Sequence, residues 1–453
     1  MVNSMQNLKY ITFVPFANFN LWDVNRYKIN SDFKSIHKTI KLSEILFQVD
    51  NSETLIADKD YKLCGISSYG LGMFHREIKK GREIQAKRLN KIKKNQFIYS
   101  RLGANNGSFA MVTDNFNNYF VSNEFPTFEI KNNLVKIEYL EIVFKLPFYW
   151  KTISKQLQGA AHKRFKENLF LNLEIPLPTI EEQNRIVARY NAKIQLAQQQ
   201  EEKAKTLETE IERYLFEELG VEINVNKGIK KGLNMINFSD INEWGADRAL
   251  RGNNDILFSK KYPSKKLSIV AMVNPRTQIS NLKDNDEMSF VPMECVSDDY
   301  GEIKELRNGI KKTSSGYTKF QENDLIWARI TPCMQNGKSA LVNGLSNNLG
   351  YGSTEFHIVR KLNENFNIEF AYHLLRSKTV RKDATNYFTG SAGQQRVPKS
   401  YLENLLVPIP PVEIQIQISN HINAIKEQIK ELNTLSAKNK EEAIIEFEKE
   451  IFN

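Results

Sequence analysis

Basic side chains are concentrated in one stretch of the sequence, at residues 79–94. This stretch, KKGREIQAKRLNKIKK, contains a single acid, and a weaker basic run, RNGIKK, follows at 307–312. Such runs suit contacts to phosphates, which hold a protein on a nucleic acid without specifying its sequence. A solvated loop or helix face would have the same composition, so that alternative stays open. The candidate phosphate-contacting residues are Lys79, Lys80, Arg82, Lys87, Arg88, Lys311 and Lys312.

A second group of residues could read base edges, which requires the donors and acceptors of arginine, asparagine, glutamine and lysine. Four loops offer these side chains, and glycines in three of them would allow close approach of the backbone. Turn formation or local capping explains any one of these residues equally well. The loops are RLGANNGS (101–108), AAHKRF (160–165), RITPCMQNGKS (329–339) and AGQQRV (392–397). The candidates are Arg101, Asn105, Asn106, Lys163, Arg164, Arg329, Gln335, Asn336, Lys338, Gln394, Gln395 and Arg396.

No arrangement of residues for catalysis is recognisable. The sequence lacks a phosphate-binding P-loop, a G-x-G-x-x-G turn and a G-x-S-x-G nucleophile elbow. Asn274-Pro275-Arg276 comes nearest to the Asn/Asp-Pro-Pro-aromatic motif of DNA amino-methyltransferases, but it lacks the second proline and the aromatic residue. The three cysteines are far apart and the histidines show no ligand spacing, which argues against a disulfide framework and a zinc site. We therefore expect a binding protein without a catalytic, cofactor or metal site.

The composition favours a polyanionic partner. The chain has 453 residues and a formal net charge of +10, which points to DNA or RNA first and to an anionic membrane second. No run of eighteen apolar residues and no signal peptide is present, which weakens the membrane alternative. Odd, scattered cysteines fit a reducing compartment, so we expect a cytoplasmic protein.

The sequence contains an internal repeat. EIPLPTIEEQNRI (174–186) matches LVPIPPVEIQIQI (406–418) at an offset of 232 residues, which aligns Gln183 with Gln415. Upstream, QFIYSRLG (96–103) matches DLIWARIT (324–331), and WDVNRY (22–27) resembles the start of EWGADRAL (243–250). Arg101 thus corresponds to Arg329, Glu124 to Glu355, Gly159 to Gly390 and Arg164 to Arg396. A period this long indicates two copies of one domain with its appendage rather than a solenoid.

Each copy is predicted to contain short strands and turns, followed by a Pro-x-Pro segment and then a long helix. The strand-like runs are YITFVPF (10–16), QFIYS (96–100), YFVSNEF (119–125), SFVPMECV (289–296), DLIWARI (324–330) and EFHIVRK (355–361). Residues of about 179–219 and about 411–451 lack glycine and proline, apart from Pro411, and have apolar residues at mostly three- and four-residue spacing. Thr179 with Glu182 fits a capping box, and Gly220 fits a C-terminal cap.

Two such helices in one chain most simply bury their apolar stripes against each other. An antiparallel pair would place the second domain at the far end and would create a pseudo-twofold axis. Packing of each helix on its own domain, or an intermolecular coiled coil, are the alternatives. The predicted fold is α+β with two tandem mixed α/β domains, each followed by a long helix, over the segments 1–175, 176–220, 221–407 and 408–453.

These features resemble the specificity subunits of type I restriction–modification systems. GSAGQQRV followed by VPIPPVEIQ is a close match to that family, and the resemblance covers essentially the full length. The first copy keeps the prolines and the glutamine in IPLPTIEEQ but has Ala161-His162 in place of the Gly-Gln dipeptide. WDVNRY and EWGADRAL also resemble the openings of the family's target-recognition domains.

The resemblance implies a function as well as a fold. Each domain would read one half of a bipartite double-stranded DNA target, and the helices would set the spacing and dock two methyltransferase subunits. Those partners would methylate adenine from S-adenosylmethionine, and restriction subunits, where present, would use ATP and Mg²⁺. This chain would bind none of these cofactors. Three other functions are compatible with fewer of the features: a stand-alone DNA-binding or architectural protein, an enzyme with unrecognised active sites, and a coiled-coil scaffold without DNA.

Overall fold

In the computed structural model, the chain folds into two compact units. Unit 1 consists of Met1–Gln200 with Leu435–Asn453, and unit 2 consists of Glu201–Thr434. The described residues are 35–157, 164–222, 235, 256–391 and 393–452. Among the predicted features, Lys163, Gly159, Ala161-His162, YITFVPF, WDVNRY and EWGADRAL lie outside the described residues.

Unit 1 contains three sheets in its described part. Strands β1 and β11 form an antiparallel pair, a four-stranded sheet has the order β2–β10–β7–β8, and a five-stranded sheet has the order β3–β6–β9–β4–β5. The strands are β1 (Thr39–Lys41), β2 (Leu46–Val49), β3 (Ser52–Thr54), β4 (Asp60–Ile66), β5 (Met73–Lys80), β6 (Arg88–Lys91), β7 (Phe97–Tyr99), β8 (Phe109–Met111), β9 (Phe120–Val121), β10 (Thr127–Ile130) and β11 (Glu174–Pro176). The helices are α1 (Leu42–Ile45), α2 (Ile137–Val143), α3 (Pro147–Gln156) and α4 (Glu167–Leu171), and the long α5 (Ile180–Leu219) follows.

Unit 2 repeats this plan. Strands β12 and β21 pair antiparallel, one four-stranded sheet has the order β13–β20–β17–β18, and a second has the order β15–β14–β19–β16. The strands are β12 (Ser264–Lys266), β13 (Ala271–Val273), β14 (Glu287–Val291), β15 (Arg307–Ile310), β16 (Thr318–Gln321), β17 (Leu325–Ala328), β18 (Ser339–Leu341), β19 (Leu349–Gly352), β20 (Phe356–Lys361) and β21 (Leu406–Pro408). The helices are α6 (Leu267–Val270), α7 (Ile368–Arg376), α8 (Lys378–Ala384), α9 (Lys399–Asn404) and the long α10 (Val412–Ile451).

The two units share their strand connectivity. In each, the second multistranded sheet contains one parallel pair, β4 with β9 in unit 1 and β14 with β19 in unit 2, flanked by equivalent antiparallel strands. Unit 1 has one additional edge strand, β3, which has no counterpart among the described strands of unit 2. The predicted duplication is therefore confirmed at the level of topology.

The long helices begin and end where their sequence predicts. The backbone N–H of Glu182 donates to Thr179 Oγ1 (3.3 Å), and the backbone N–H of Thr179 donates to Glu182 Oε2 (2.9 Å), which is the predicted capping box. Gly220 ends α5 with a φ of +61°, a left-handed conformation that glycine adopts without strain.

Each unit contains a part of both long helices, and the two parts run antiparallel. In unit 1, Arg185 contacts Glu450 near one end, while Lys193 contacts Glu442 (2.7 Å) farther along. In unit 2, Ala204 packs with Ile425 and Ile429. The sequence-based boundaries treat each helix as a separate segment, whereas these contacts make the helices part of both compact units.

Each unit has its own aromatic-rich core. Phe97, Tyr99, Phe128 and Phe170 lie in one cluster of unit 1, between the four-stranded sheet and the short helices. Trp327 lies in the equivalent core of unit 2. Burying each ring fully stabilises a fold by roughly 1.5–3 kcal/mol. These cores hold strands β7 and β17 in place, and the loops that follow them contain the predicted Arg101 and Arg329.

Candidate nucleic-acid interface

The basic run of unit 1 begins at the end of the edge strand β5 and continues through β6. Lys79 pairs with Glu77 (3.0 Å), Arg82 pairs with Asp58 (3.2 Å), and Arg88 donates to the carbonyl oxygen of Ser52 (3.1 Å). Neither Lys80 nor Lys87 forms an ion pair within the described part of the chain, and both side chains are exposed. A surface segment with several exposed cations can contact phosphates, and that role of the five candidates stays a prediction.

Arg101 and Arg164 are held by carboxylates of their own unit. Arg101 Nη1 donates to the carbonyl oxygen of Asn123 (2.7 Å), and its Nη2 forms an ion pair with Glu167. Arg164 Nε lies 3.0 Å from both carboxylate oxygens of Glu124.

In unit 2, Glu355, the equivalent of Glu124, engages both equivalent arginines. Arg396 donates to both Glu355 oxygens at 2.7–3.1 Å, and Arg329 Nε donates to Oε2 at 3.3 Å. The hydrogen bonds from Arg396, followed by the charge of Arg329, hold the pKa of the Glu355 carboxyl below its usual range although burial opposes this shift.

The backbone contacts of the two copies also agree. The N–H of Arg101 donates to Glu124 O, and the N–H of Arg329 donates to Glu355 O, both at 2.9 Å. The predicted equivalence of these residues is therefore confirmed. Carboxylates of the same chain bind the guanidinium groups of these arginines, and this arrangement stabilises the loops. DNA contact by Arg101, Arg164, Arg329 or Arg396 stays a prediction.

Two predicted loops of unit 2 come together. The N–H of Thr331 donates to Gln395 O (3.0 Å), and the N–H of Val397 donates to Arg329 O (2.9 Å). Unit 1 brings its own two loops together in the same way, through the N–H of Phe165 and Arg101 O (2.9 Å). In each unit the structure thus joins residues that are about 65 positions apart in sequence.

The remaining candidate side chains differ in whether they form hydrogen bonds within the protein. Gln335 accepts from Thr331 Oγ1 (2.5 Å), and Lys338 donates to Met293 O (3.1 Å). Lys311 donates to Leu282 O. Asn105 donates weakly to Asn106 (3.4 Å). The exposed candidates are Asn106, Lys312, Gln335, Asn336 and Gln394, whereas Gln395 is half-buried.

Sequence reasoning missed an open groove in unit 2 with a volume of about 920 Å³. One wall is the loop Asn274–Ser280, which precedes β14, and the other includes Lys319 on β16 and Arg329. The lining is mostly polar and contains three basic residues and no acid. In the sequence, Asn274-Pro275-Arg276 stands out only as an incomplete methyltransferase motif, and nothing local indicates that this segment faces a groove.

The described residues contain neither a helix suited to span a membrane nor a metal-binding cluster. None of their helices is both long and apolar enough to cross a membrane. No group of three or more histidine, cysteine or acidic side chains among them is arranged to hold a metal ion.

Comparisons with known proteins agree with the repeated topology. Two Escherichia coli proteins, the type I restriction enzyme EcoEI and EcoAI specificity subunits, are 36% and 37% identical to this chain over 155 and 157 residues. Each match covers 34% of this chain and 25% or 26% of the relative, so it spans about a quarter of the relatives' length. A solved structure from a study of complex assembly and conformational transition in the type I restriction–modification system has a TM-score of 0.54 and 15% identity, over 91% of this chain and 96% of that chain. This last likeness shows a common fold.

The family itself is established by a domain match in each repeat. The model of the type I restriction modification DNA specificity domain matches residues 37–209 and again residues 260–441. Since these two matches cover most of the sequence, the chain belongs to the family of type I restriction modification DNA specificity domains and contains two copies of that domain.

Proposed function

We propose that this chain is the sequence-reading subunit of a type I restriction–modification complex and recognises a bipartite target in double-stranded DNA. The observation that carries the proposal is the double occurrence of the specificity domain, with the same strand connectivity in both units. Two copies of one reader suit a target made of two half-sites. The net charge of +10 suits a polyanion, since cationic side chains release counterions from DNA when they bind it.

The long helices would set the spacing between the two readers. We infer that α5 and α10 form an antiparallel coiled coil along their whole length, which would relate the two readers by a pseudo-twofold axis. The antiparallel contacts within each unit support this inference. A pair of 40-residue helices would be roughly 60 Å long at 1.5 Å per residue. The spacing of half-sites in DNA must match the helical repeat, about 34–36 Å per turn, so a stiff spacer would fix the unread gap.

The partners of the complex follow from the same assignment. Two methyltransferase subunits would dock on this chain in the cytoplasm and methylate adenine, with S-adenosylmethionine bound to them. Restriction subunits, where the system has them, would supply ATP- and Mg²⁺-dependent translocation and cleavage. The proposal gives this chain no cofactor and no catalytic step, and its work is to select the DNA sequence.

Methylation-sensitive long-read sequencing of the source organism tests the proposal directly. We expect a bipartite N6-methyladenine motif that disappears when this gene is deleted and returns when the wild-type gene is restored. A motif unchanged by deletion, with the chain and its partner subunits expressed in the parent strain, would contradict the proposal. It would favour a stand-alone DNA-binding protein, which would bind specific DNA without any partner.

A further inference from the structure

The loop Asn274–Ser280 is rigidly attached to the sheet behind it. Asn274 has a φ of +53°, and its side-chain Oδ1 accepts from the N–H of Ile358 (2.9 Å). Its Nδ2 lies 3.0 Å from Nδ1 of His357, whose Nε2 lies 2.9 Å from Val397 O. Burial lowers the pKa of His357 to about 4, so a neutral ring donates from Nε2 and accepts at Nδ1.

A second attachment holds the middle of the loop. Thr277 is buried, and its hydroxyl donates to Lys319 O (3.2 Å). The same oxygen accepts from Arg360 Nη2 (2.9 Å). Arg360 is in turn fixed by Asp324. Two independent anchors three residues apart leave this segment little conformational freedom.

The residues on either side of Thr277 take no part in these anchors. Arg276 and Gln278 are both exposed and both line the groove. Neither side chain has a hydrogen bond or ion pair within the described part of the chain. Lys319 and Arg329, in contrast, are already engaged: Lys319 donates to Ser314 O (2.9 Å), and Arg329 donates to Glu355.

We propose that Arg276 and Gln278 read base edges in the DNA half-site that unit 2 recognises. The inference rests on the proposed function and names the residues that would determine half of the specificity. Arginine makes its commonest specific contact with guanine O6 and N7, and glutamine pairs with adenine N6 and N7. Because the backbone of the loop is fixed before DNA arrives, little ordering entropy opposes these contacts.

Unit 1 reads its half-site by other means. Its chain leaves β2, the equivalent of β13, and after Asp50 and Asn51 enters the additional strand β3. Asp50 turns this segment by accepting from the N–H of Ser52 (2.9 Å). No loop equivalent to Asn274–Ser280 exists in the described part of unit 1. Substitutions at Arg276 or Gln278 therefore affect one half-site and leave the other unchanged.

The experiment uses the full chain in its native complex, purified from the source strain with its methyltransferase partners. The wild-type methylation motif first defines both half-sites, and its absence would signal failure of the proposed function rather than of this inference. Binding is then measured to the cognate duplex and to duplexes with single substitutions in either half-site. The variants are R276A, R276K and Q278A, and K283A is the control, because Lys283 is an exposed cation nearby that does not line the groove.

Each variant is expected to lose discrimination at one or two base pairs of a single half-site. A bidentate contact corresponds to roughly 5- to 150-fold discrimination against a wrong base. R276K keeps the charge but loses the planar fork, so it should lose discrimination while binding DNA almost as tightly as the wild type. K283A should discriminate as the wild type does.

The ratio of affinities for cognate and substituted duplexes decides the outcome. An unchanged ratio in R276A, R276K and Q278A overturns the inference even where overall affinity falls, since uniform weakening indicates phosphate contact. The inference is also overturned if a variant changes the affinity ratio equally for substitutions in both half-sites, or if K283A changes that ratio. Because Arg276 and Gln278 are exposed, we expect all four variants to melt within a few degrees of the wild type.

Discussion

Arg360 and Asp324 form a buried two-pronged ion pair in unit 2. Nε donates to Oδ1 and Nη2 donates to Oδ2, each at 2.7 Å, and the Asp324 side chain is almost fully buried. Asp324 Oδ2 also accepts from the N–H of Gln321 (2.8 Å), and Arg360 Nη2 also donates to Thr277. The pair therefore links β16, β17 and β20 to the loop that lines the groove.

Replacing Asp324 with alanine should destabilise unit 2 strongly. Removal of one partner leaves a buried guanidinium without its counter-charge, which costs about 3–5 kcal/mol. We expect a clear fall in the urea midpoint of the unfolding transition followed by tryptophan fluorescence, to which Trp327 contributes from the core of this unit. Lys361–Glu364 is a matched exposed pair in the same segment, and its removal by E364A should cost at most about 1 kcal/mol. Equal effects of D324A and E364A would contradict this account.

Gln415 performs a structural role that its equivalent Gln183 repeats in unit 1. Gln415 Nε2 donates to Pro410 O (2.8 Å) and Asn365 O (3.2 Å), and Oε1 accepts from the N–H of Asn367 (2.8 Å). Gln183 makes the same three contacts, to Pro178, Leu134 and Lys136. Both side chains are fully buried, so each ties the start of a long helix to its unit.

Q415A should loosen this junction in unit 2 alone. The substitution leaves buried polar backbone groups without partners, at a cost of about 1–3 kcal/mol. Hydrogen exchange followed by mass spectrometry should show faster exchange around residue 367, with no change around residue 136. Q183A should produce the reverse pattern, and Q417A, on an exposed side chain of the same helix, should change neither peptide. Faster exchange in both units from either single variant would refute the equivalence.

Features set by local sequence were predictable. The predicted helix limits agree with Ile180–Leu219 and Val412–Ile451 to within a residue, because capping and apolar spacing are local properties. The repeat likewise identified Gln183 and Gln415 as equivalents. Their role was not predictable, since the backbone groups they contact lie 47 to 50 positions away in sequence.

The candidate site was harder to predict for the same reason. The sequence predicts that Arg101 reads bases from a loop that contains glycines, but Glu167, 66 residues later, engages its guanidinium. Arg276 is not among the predicted contact residues, and it stands outside the basic runs of the sequence. Its importance depends on which side chains are already engaged by others, and only the packed fold reveals that.

Two lysines one turn apart on α10 should affect alkaline stability in opposite ways. Burial, followed by the charge of Arg376, lowers the pKa of Lys426 to about 8, while Glu302 raises the pKa of Lys430. Between pH 8 and 10.5 the native state holds fewer protons on Lys426 than the unfolded state does, so this lysine makes stability rise with pH. The stability that Lys430 contributes is complete below pH 10.5 and is lost as pH rises through its native pKa.

Other titrations cancel when the unfolding free energy of each variant is compared with that of the wild type. K426M should stabilise the protein at pH 7, and its advantage should shrink as the pH approaches 10.5. Lys426 also donates to Tyr372 (2.8 Å), and the loss of that bond reduces the gain without reversing its pH dependence. K430M should be neutral or destabilising at pH 7 and should approach the wild type only above pH 10.5. Unfolding free energies from pH 7 to 11 test both, and parallel curves for K426M and the wild type would disprove the linkage.

Lengthening both long helices should change the unread gap of the target. Seven residues inserted after Gln200 and seven after Thr434 preserve the apolar stripe of each helix, because seven residues make nearly two turns. The insertions add about 10.5 Å at 1.5 Å per residue, which corresponds to about three base pairs. DNA also rotates by roughly 34–36° per base pair, so the readers must twist to reach the new site and we expect weaker binding there.

Long-read methylation sequencing should show two unchanged half-sites with a gap longer by two or three base pairs. Seven residues inserted after Asn363, in an exposed loop outside both helices, should leave the gap as it is. An unchanged gap in the helix variant, with methylation retained, would show that the helices do not set the spacing.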